Sequence, residues 1–169
     1  MTDVQPKLSD DLYDLLNGEH LEKKQHEAFM LETVNEDGWP HTAMISVGEI
    51  IAMDSSHLRL ALWPTTQTTQ NILRTGKAMV VLFYKGKACY LNLELRPMSQ
   101  LENPKHNRAR FQADLTHIKE DQAKYADITS GVQIHLKDSS TVIARWQETL
   151  DELKQGDGSP VSFKNRMKR

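Results

Sequence analysis

The sequence predicts a mainly β fold, an antiparallel barrel with accessory helices. Alternating apolar runs recur through the middle of the chain, and Asp37-Gly38 and Lys85-Gly86 fall between pairs of them as hairpin turns. Helical apolar stripes occur at the two ends, with one short helical pattern between. Helices therefore do not alternate with strands, which argues against a doubly wound sheet.

Taken in order, "LSDDLYDLLNG" reads as a helix that Ser9 caps, with Asp10 and Asp11 in the positive first turn, Leu8 stapled to Tyr13, and Gly18 ending it. Leu12, Leu15 and Leu16 share a face that another element must cover. The polar "HLEKKQHEAF" continues this helical N-terminal region, about 8–27. At "AFMLETV" the period becomes that of a strand, and "NEDGWPHTAMISV" returns it through the Asp37-Gly38 turn. "HLRLALW" is a third, half-buried strand, followed by the short helix "QTTQNILRTG". "KAMVVLFYKGKACYLNLEL" supplies two strands about Lys85-Gly86. "ARFQADLTHI" and "GVQIHLK" are weaker strands separated by the charged "KEDQAKY", which takes the barrel to about 28–138. Ile143, Trp146, Leu150 and Leu153 then share a helical stripe over about 139–156, closed by Gly156 and followed by a tail, 157–169. A chain of 169 residues is expected to be one domain.

A formal charge of -2 gives no electrostatic footprint for a phosphate backbone, so no nucleic-acid partner is expected. The basic "KNRMKR" at the end is the exception and reads as a frayed, solvated tail, with a weak site for an anionic partner as the alternative. Cys89 is the single cysteine, so no internal disulfide can form; its apolar strand context marks it as a small buried residue rather than a nucleophile. The N-terminus has acids where a signal peptide needs a basic and then an apolar stretch, and no run reaches membrane-spanning length. A soluble, cytoplasmic protein without a membrane partner is the expectation.

Catalytic and metal motifs are few. The seven histidines include no HExxH pair, and no metal site is expected. G-x-S-x-G, G-x-G-x-x-G and Walker patterns are absent. The informative stretch is "WPTTQTTQNI", residues 63–72, uncharged and rich in threonine. If Thr65 or Thr66 caps the following helix, the next amides point out of its N-terminus and, with the threonine hydroxyls, can cradle a phosphate. The same residues also serve as an ordinary helix cap facing water.

The order and spacing of "LETVNEDGWPHTAMIS", a strand ending near Trp63, the threonine-rich turn, "QNILRTGKAMVVLF" and "YLNLEL" resemble the flavin-mononucleotide split-barrel family typified by pyridoxamine 5'-phosphate oxidase. The likeness runs from about Phe29 to Leu95. It implies an antiparallel split barrel that binds flavin mononucleotide (FMN). The second strand, Ala43 through Gly48, would lie along the isoalloxazine ring with Met44, Ile45 and Ser46 as contacts. Leu62 and Trp63 would flank the ribityl chain. Thr66, Gln67 and Thr68 would hold the phosphate, braced by Asn71. A homodimer with sites at the subunit interface is also implied.

The chain departs from that pattern in two places. Such oxidases usually carry Arg or Lys in the phosphate turn, where this chain has Gln67 and Thr68. Phosphate affinity should then fall unless Arg74, Lys77 or a cation from elsewhere compensates, because charge-assisted hydrogen bonds are about twice as strong as neutral ones. The chain also ends in "VSFKNRMKR" without the basic, histidine-bearing motif such oxidases use for substrate, so it is not expected to make pyridoxal phosphate. Two readings follow: an FMN-binding oxidoreductase of unknown substrate with no assignable catalytic residue, or a non-catalytic split barrel holding flavin, haem or no cofactor.

Overall fold

A computed structural model of the chain describes residues 4–156. The tail expected at 157–169 lies outside the described residues. The elements run α1 (Asp10–Leu16), α2 (Leu21–Lys24), β1 (Ala28–Val34), β2 (Pro40–Ser46), β3 (Ile50–Ala52), β4 (His57–Leu62), α3 (Gln67–Thr75), β5 (Lys77–Tyr84), β6 (Lys87–Pro97), β7 (Ala109–Asp121) and α4 (Ser139–Lys154). The strands form one antiparallel sheet in the order β2-β1-β5-β6-β7-β4-β3.

That order contains the shape. β2 and β3 occupy opposite edges of the seven-stranded sheet, yet β2 ends at Ser46 and β3 begins at Ile50. In a flat sheet the edges would stand about 29 Å apart at ~4.8 Å per strand spacing. The Ser46-to-Ile50 connection reaches no more than about 14 Å. The sheet must curl until its edges meet, which makes a mainly β split barrel of the kind the sequence predicts. A register shift between Asn92 and Leu93, where β6 meets β7, adds local bend and twist.

The joint between the edges is tightly built. The Ser46 backbone N–H and hydroxyl donate to Glu49 Oε2 at 2.7 and 2.9 Å, the Glu49 N–H donates to the Ser46 carbonyl at 3.1 Å, and the Ala61 N–H donates to the Glu49 carbonyl at 2.9 Å. Between them, Gly48 faces the Trp146 side chain of α4, and a Cβ at position 48 would stand 2.0 Å from Trp146 Cγ. Only a residue without a side chain fits there.

α1 packs against β3, and α4 against β3 and β4, as their apolar stripes require. Ser9 caps α1, accepting from the Leu12 N–H at 3.4 Å, and the helix buries Leu12, Leu15 and Leu16 in the common core. α4 is capped by Asp138, which accepts from the Thr141 N–H and hydroxyl, and it buries Trp146, Leu150 and Leu153. Its last turn is fixed from β4: Arg59 Nη1 donates to the carbonyls of Leu153, Lys154 and Gln155 at 3.0, 3.1 and 3.3 Å. α4 ends at Lys154 with Gln155 in extended conformation as its C-cap, so the helix stops before Gly156. Among the described residues no helix is long and apolar enough to cross a membrane.

Three strand assignments change. Ile50–Ala52 pairs with β4 as an additional strand, so the short helix follows the fourth strand rather than the third. The charged Lys119–Asp121 belong to β7 instead of separating two strands. "GVQIHLK" forms only the bridge between Glu27 and Gln133, with Val132 accepting from the Ala28 N–H and Ile134 donating to the His26 carbonyl. β1 already has β2 on one side and β5 on the other from Met30 onward, so a further segment can dock only at its entrance. The Lys85-Gly86 turn joins β5 to β6 with both residues at positive φ, 47° and 78°, as a two-residue primed turn requires.

Gly48→Ala is expected to cost at least about 1–3 kcal/mol through overpacking against Trp146, measured by denaturant unfolding. Burial pushes the Cys89 thiol up to about 11, and Cys89 is 1% exposed. It should therefore resist alkylation at pH 8 in the native protein and react promptly once the chain is unfolded.

Candidate functional site

β4 ends at Leu62, and the chain turns through Trp63–Thr66 into α3. Thr66 is the N-cap: its Oγ1 accepts from the Thr69 N–H at 3.3 Å. The Thr66 and Thr69 hydroxyls both donate to the Trp63 carbonyl, at 3.1 and 2.7 Å, which ties the turn to its own entrance. The Gln70 N–H donates to the Thr66 carbonyl at 3.1 Å. The amides of Gln67 and Thr68 make no hydrogen bond among the described residues, and they sit at the positive end of the helix.

Asn71 is the buried centre of this region, with 0% exposure. Its Nδ2 donates to Thr33 Oγ1 at 3.1 Å and Asn35 Oδ1 at 2.9 Å, and its Oδ1 accepts from Gln67 Nε2 at 2.8 Å and Arg74 Nη1 at 3.2 Å. Both donors and both acceptor positions of the amide are thereby used. The network joins α3 to β1 and to the β1–β2 hairpin. Arg74 also donates to the Val34 carbonyl, so its guanidinium is held at the hairpin rather than at the helix N-terminus.

The residues predicted from the sequence divide into groups. Thr66 and Gln67 are exposed at the N-terminus of α3, and Thr68 is buried beside them. Trp63 is 55% exposed, with the Arg108 guanidinium 3.3 Å above its ring centroid. Met44 is exposed on edge strand β2, opposite Met30. Ile45 and Leu62 lie in the core, so they can offer only backbone to anything outside. Ser46 is buried and engaged with Glu49. β2 leaves one edge unpaired, where alternate N–H and C=O groups face outward.

Several residues of this neighbourhood were not foreseen: Thr33, Asn35, Glu49, Thr69, Arg108 and Arg145. Burial raises the Glu49 carboxyl above its ordinary value, opposed by its Ser46 hydrogen bonds and by the charges of Arg108 and Arg145. Burial also lowers the Arg108 guanidinium, with Glu49 acting the other way. A cavity of about 530 Å³ is a separate groove on the outer face of the sheet, where Glu32, Val34, Pro40, Lys77 and Met79 are among its walls. None of the predicted cofactor contacts lines it, and Lys77 therefore faces the groove and not the threonine turn. Among the described residues no group of three or more His, Cys, Asp or Glu could hold a metal ion.

No family model matches the sequence. The uncharacterized protein YclD of Bacillus subtilis (strain 168) is 52% identical over 148 residues, spanning 88% of this chain and 96% of that protein. Among solved structures, a candidate pyridoxamine 5'-phosphate oxidase from Lactobacillus delbrueckii superposes with a TM-score of 0.52 at 19% identity, covering 67% of this chain and 93% of that one. HupZ from Group A Streptococcus gives a TM-score of 0.51 at 13% identity, covering 76% of this chain and 99% of that one. At these identities the likeness is one of fold. By its identity to YclD and by its curled seven-stranded sheet, this chain belongs to the YclD family and has the split-barrel fold of pyridoxamine 5'-phosphate oxidase-like proteins.

Proposed function

We propose that the protein is a homodimeric split-barrel flavoprotein that binds FMN and serves as an oxidoreductase. The observation that carries this reading is the N-terminus of α3, where the amides of Gln67 and Thr68 have no partner among the described residues and follow the end of β4, with the Thr66 hydroxyl held in the cap beside them. These donors suit a phosphate, with the helix dipole adding to them. Asn71 holds the helix at a fixed angle to β1, so the donors are positioned before any ligand arrives. Trp63 and the free edge of β2 then extend from the phosphate position: the indole for the ribityl chain, and outward backbone groups near Met44 through Ser46 for the polar edge of the ring.

FMN, when bound, supplies the hydride or electron transfer, while the chain supplies position and electrostatics. In a single copy Met44, Trp63, Thr66 and Gln67 stand exposed. The outer face beside them exposes Met44 and Val34, with half-buried Met30, Met79 and Val81 in the adjoining strands. A second copy seated on that face would cover this apolar surface and complete the site.

A reading without turnover is favoured by one observation. The turn carries no charge, and Arg74 is committed to Asn71 and Val34. On this reading the barrel holds its ligand without oxidising anything.

The purified, concentrated protein is expected to show the absorption of bound flavin, or to acquire it on addition of FMN. A colourless protein indifferent to FMN would overturn the assignment. Gln67→Pro removes one of the two free amides at the first helical position, where proline is tolerated after the extended Thr66; it should weaken FMN binding several-fold, the loss expected for one neutral hydrogen bond, read by fluorescence titration alongside thermal unfolding. Unchanged affinity in a folded variant would remove the phosphate from this turn. Sedimentation should find a dimer at micromolar concentration, whereas a monomer would remove the interfacial site.

A further inference from the structure

The register of β4 and β7 pairs Leu62 with Ala109, and one step further along both strands sets Trp63 opposite Arg108. Arg108 stacks on the indole there. Gly48 and Glu49, from the joint between the sheet edges, and Arg145, Trp146 and Thr149, from α4, enclose with them a pocket of about 90 Å³. This pocket is distinct from the outer groove; it shares Trp63 with the residues assigned to flavin, and neither arginine belongs to them.

Its chemistry is incomplete as it stands. Arg108 Nη1 is buried and has no hydrogen-bond partner, an unfavourable state for a charged donor. The lining carries two guanidiniums and one carboxylate, a surplus of one positive charge, and Arg145 disfavours the charged form of Arg108. That count already includes Glu49, whose Oε2 accepts from the Ser46 N–H and hydroxyl. What the pocket lacks is an acceptor bearing a single negative charge.

We propose that this pocket binds the carboxylate of a small monocarboxylic acid, held by Arg108 Nη1 and Arg145, with the body of the ligand against the exposed part of Trp63. A carboxylate is planar and accepts from guanidinium groups in their own plane. One negative charge neutralises the lining, whereas a phosphate dianion would overshoot it beside Glu49. The volume admits a few heavy atoms, enough for the acid group and too little for a nucleotide.

The test is isothermal titration calorimetry of the full chain with sodium acetate and sodium benzoate, against inorganic phosphate at matched ionic strength. The expected result is saturable binding of at least one carboxylate, tighter than phosphate. Arg108→Gln and Arg145→Gln should each weaken it about tenfold or more, as loss of a charge-assisted hydrogen bond does. Arg145 is exposed on α4, so its variant should keep the wild-type melting temperature and report on binding even if Arg108→Gln fails to fold. Absence of saturable binding by both carboxylates, tighter binding of phosphate, or wild-type affinity in a folded Arg145→Gln would each overturn the proposal.

Discussion

A chain that places consecutive strands on opposite edges of one sheet has to bring those edges together. The three residues Val47, Gly48 and Glu49 impose that closure, and much of the rest of the molecule answers to it. Edge strands are a liability in open sheets because their unpaired backbone invites other chains. Here the joint shields part of both edges. Glu49 fastens to Ser46 and Ala61, while α4 lays Trp146 over the glycine between. α4 in turn is anchored by Arg59, which gathers its last carbonyls onto β4. The turn into α3 leaves the same end of β4, so the closure that shapes the barrel also sets where the candidate ligand site begins.

The fold was legible where pattern and period agree. Leu12, Leu15 and Leu16, and later Trp146, Leu150 and Leu153, are buried as their helical spacing requires. The two hairpins lie where Asp37-Gly38 and Lys85-Gly86 place them. Ile50–Ala52 escaped notice because all three residues are buried and show no alternation, and a three-residue strand has too little length for a period to emerge. "GVQIHLK" erred in the other direction: it alternates as a strand does, but alternation describes a half-buried surface and cannot say whether a sheet edge is vacant.

The candidate site was legible only in its local part. Ser, Thr and Asn about a helix start announce a cap, so Thr66 and the role of α3 could be read from neighbouring residues. Two partners of Asn71, Thr33 and Asn35, come from β1 and the hairpin, more than thirty residues away, and nothing in the local sequence points to them. Arg108 and Arg145 are further still. They meet Trp63 only because β7 pairs with β4 and α4 crosses the joint, relations that exist once the sheet has closed. Sequence pattern marks what each segment can do, whereas charge across the pocket is a property of topology.

Asn71 divides the labour of α3 in a way that bears on how such a protein could change over time. Its amide spends every donor and acceptor on holding the helix, and no other side chain of that length offers the same set: aspartate lacks the donors, leucine lacks both, and glutamine is longer by a methylene. Thr66 and Gln67, one turn earlier, are exposed; Thr66 contributes a cap and Gln67 one of the four hydrogen bonds of Asn71. The scaffold is thus rigid at one turn and permissive at the next. Residues facing the ligand can be exchanged, for a cation or for another neutral group, while the bonds of Asn71 to Thr33, Asn35 and Arg74 still hold the helix, so the barrel can drift between ligand chemistries while its architecture stays the same.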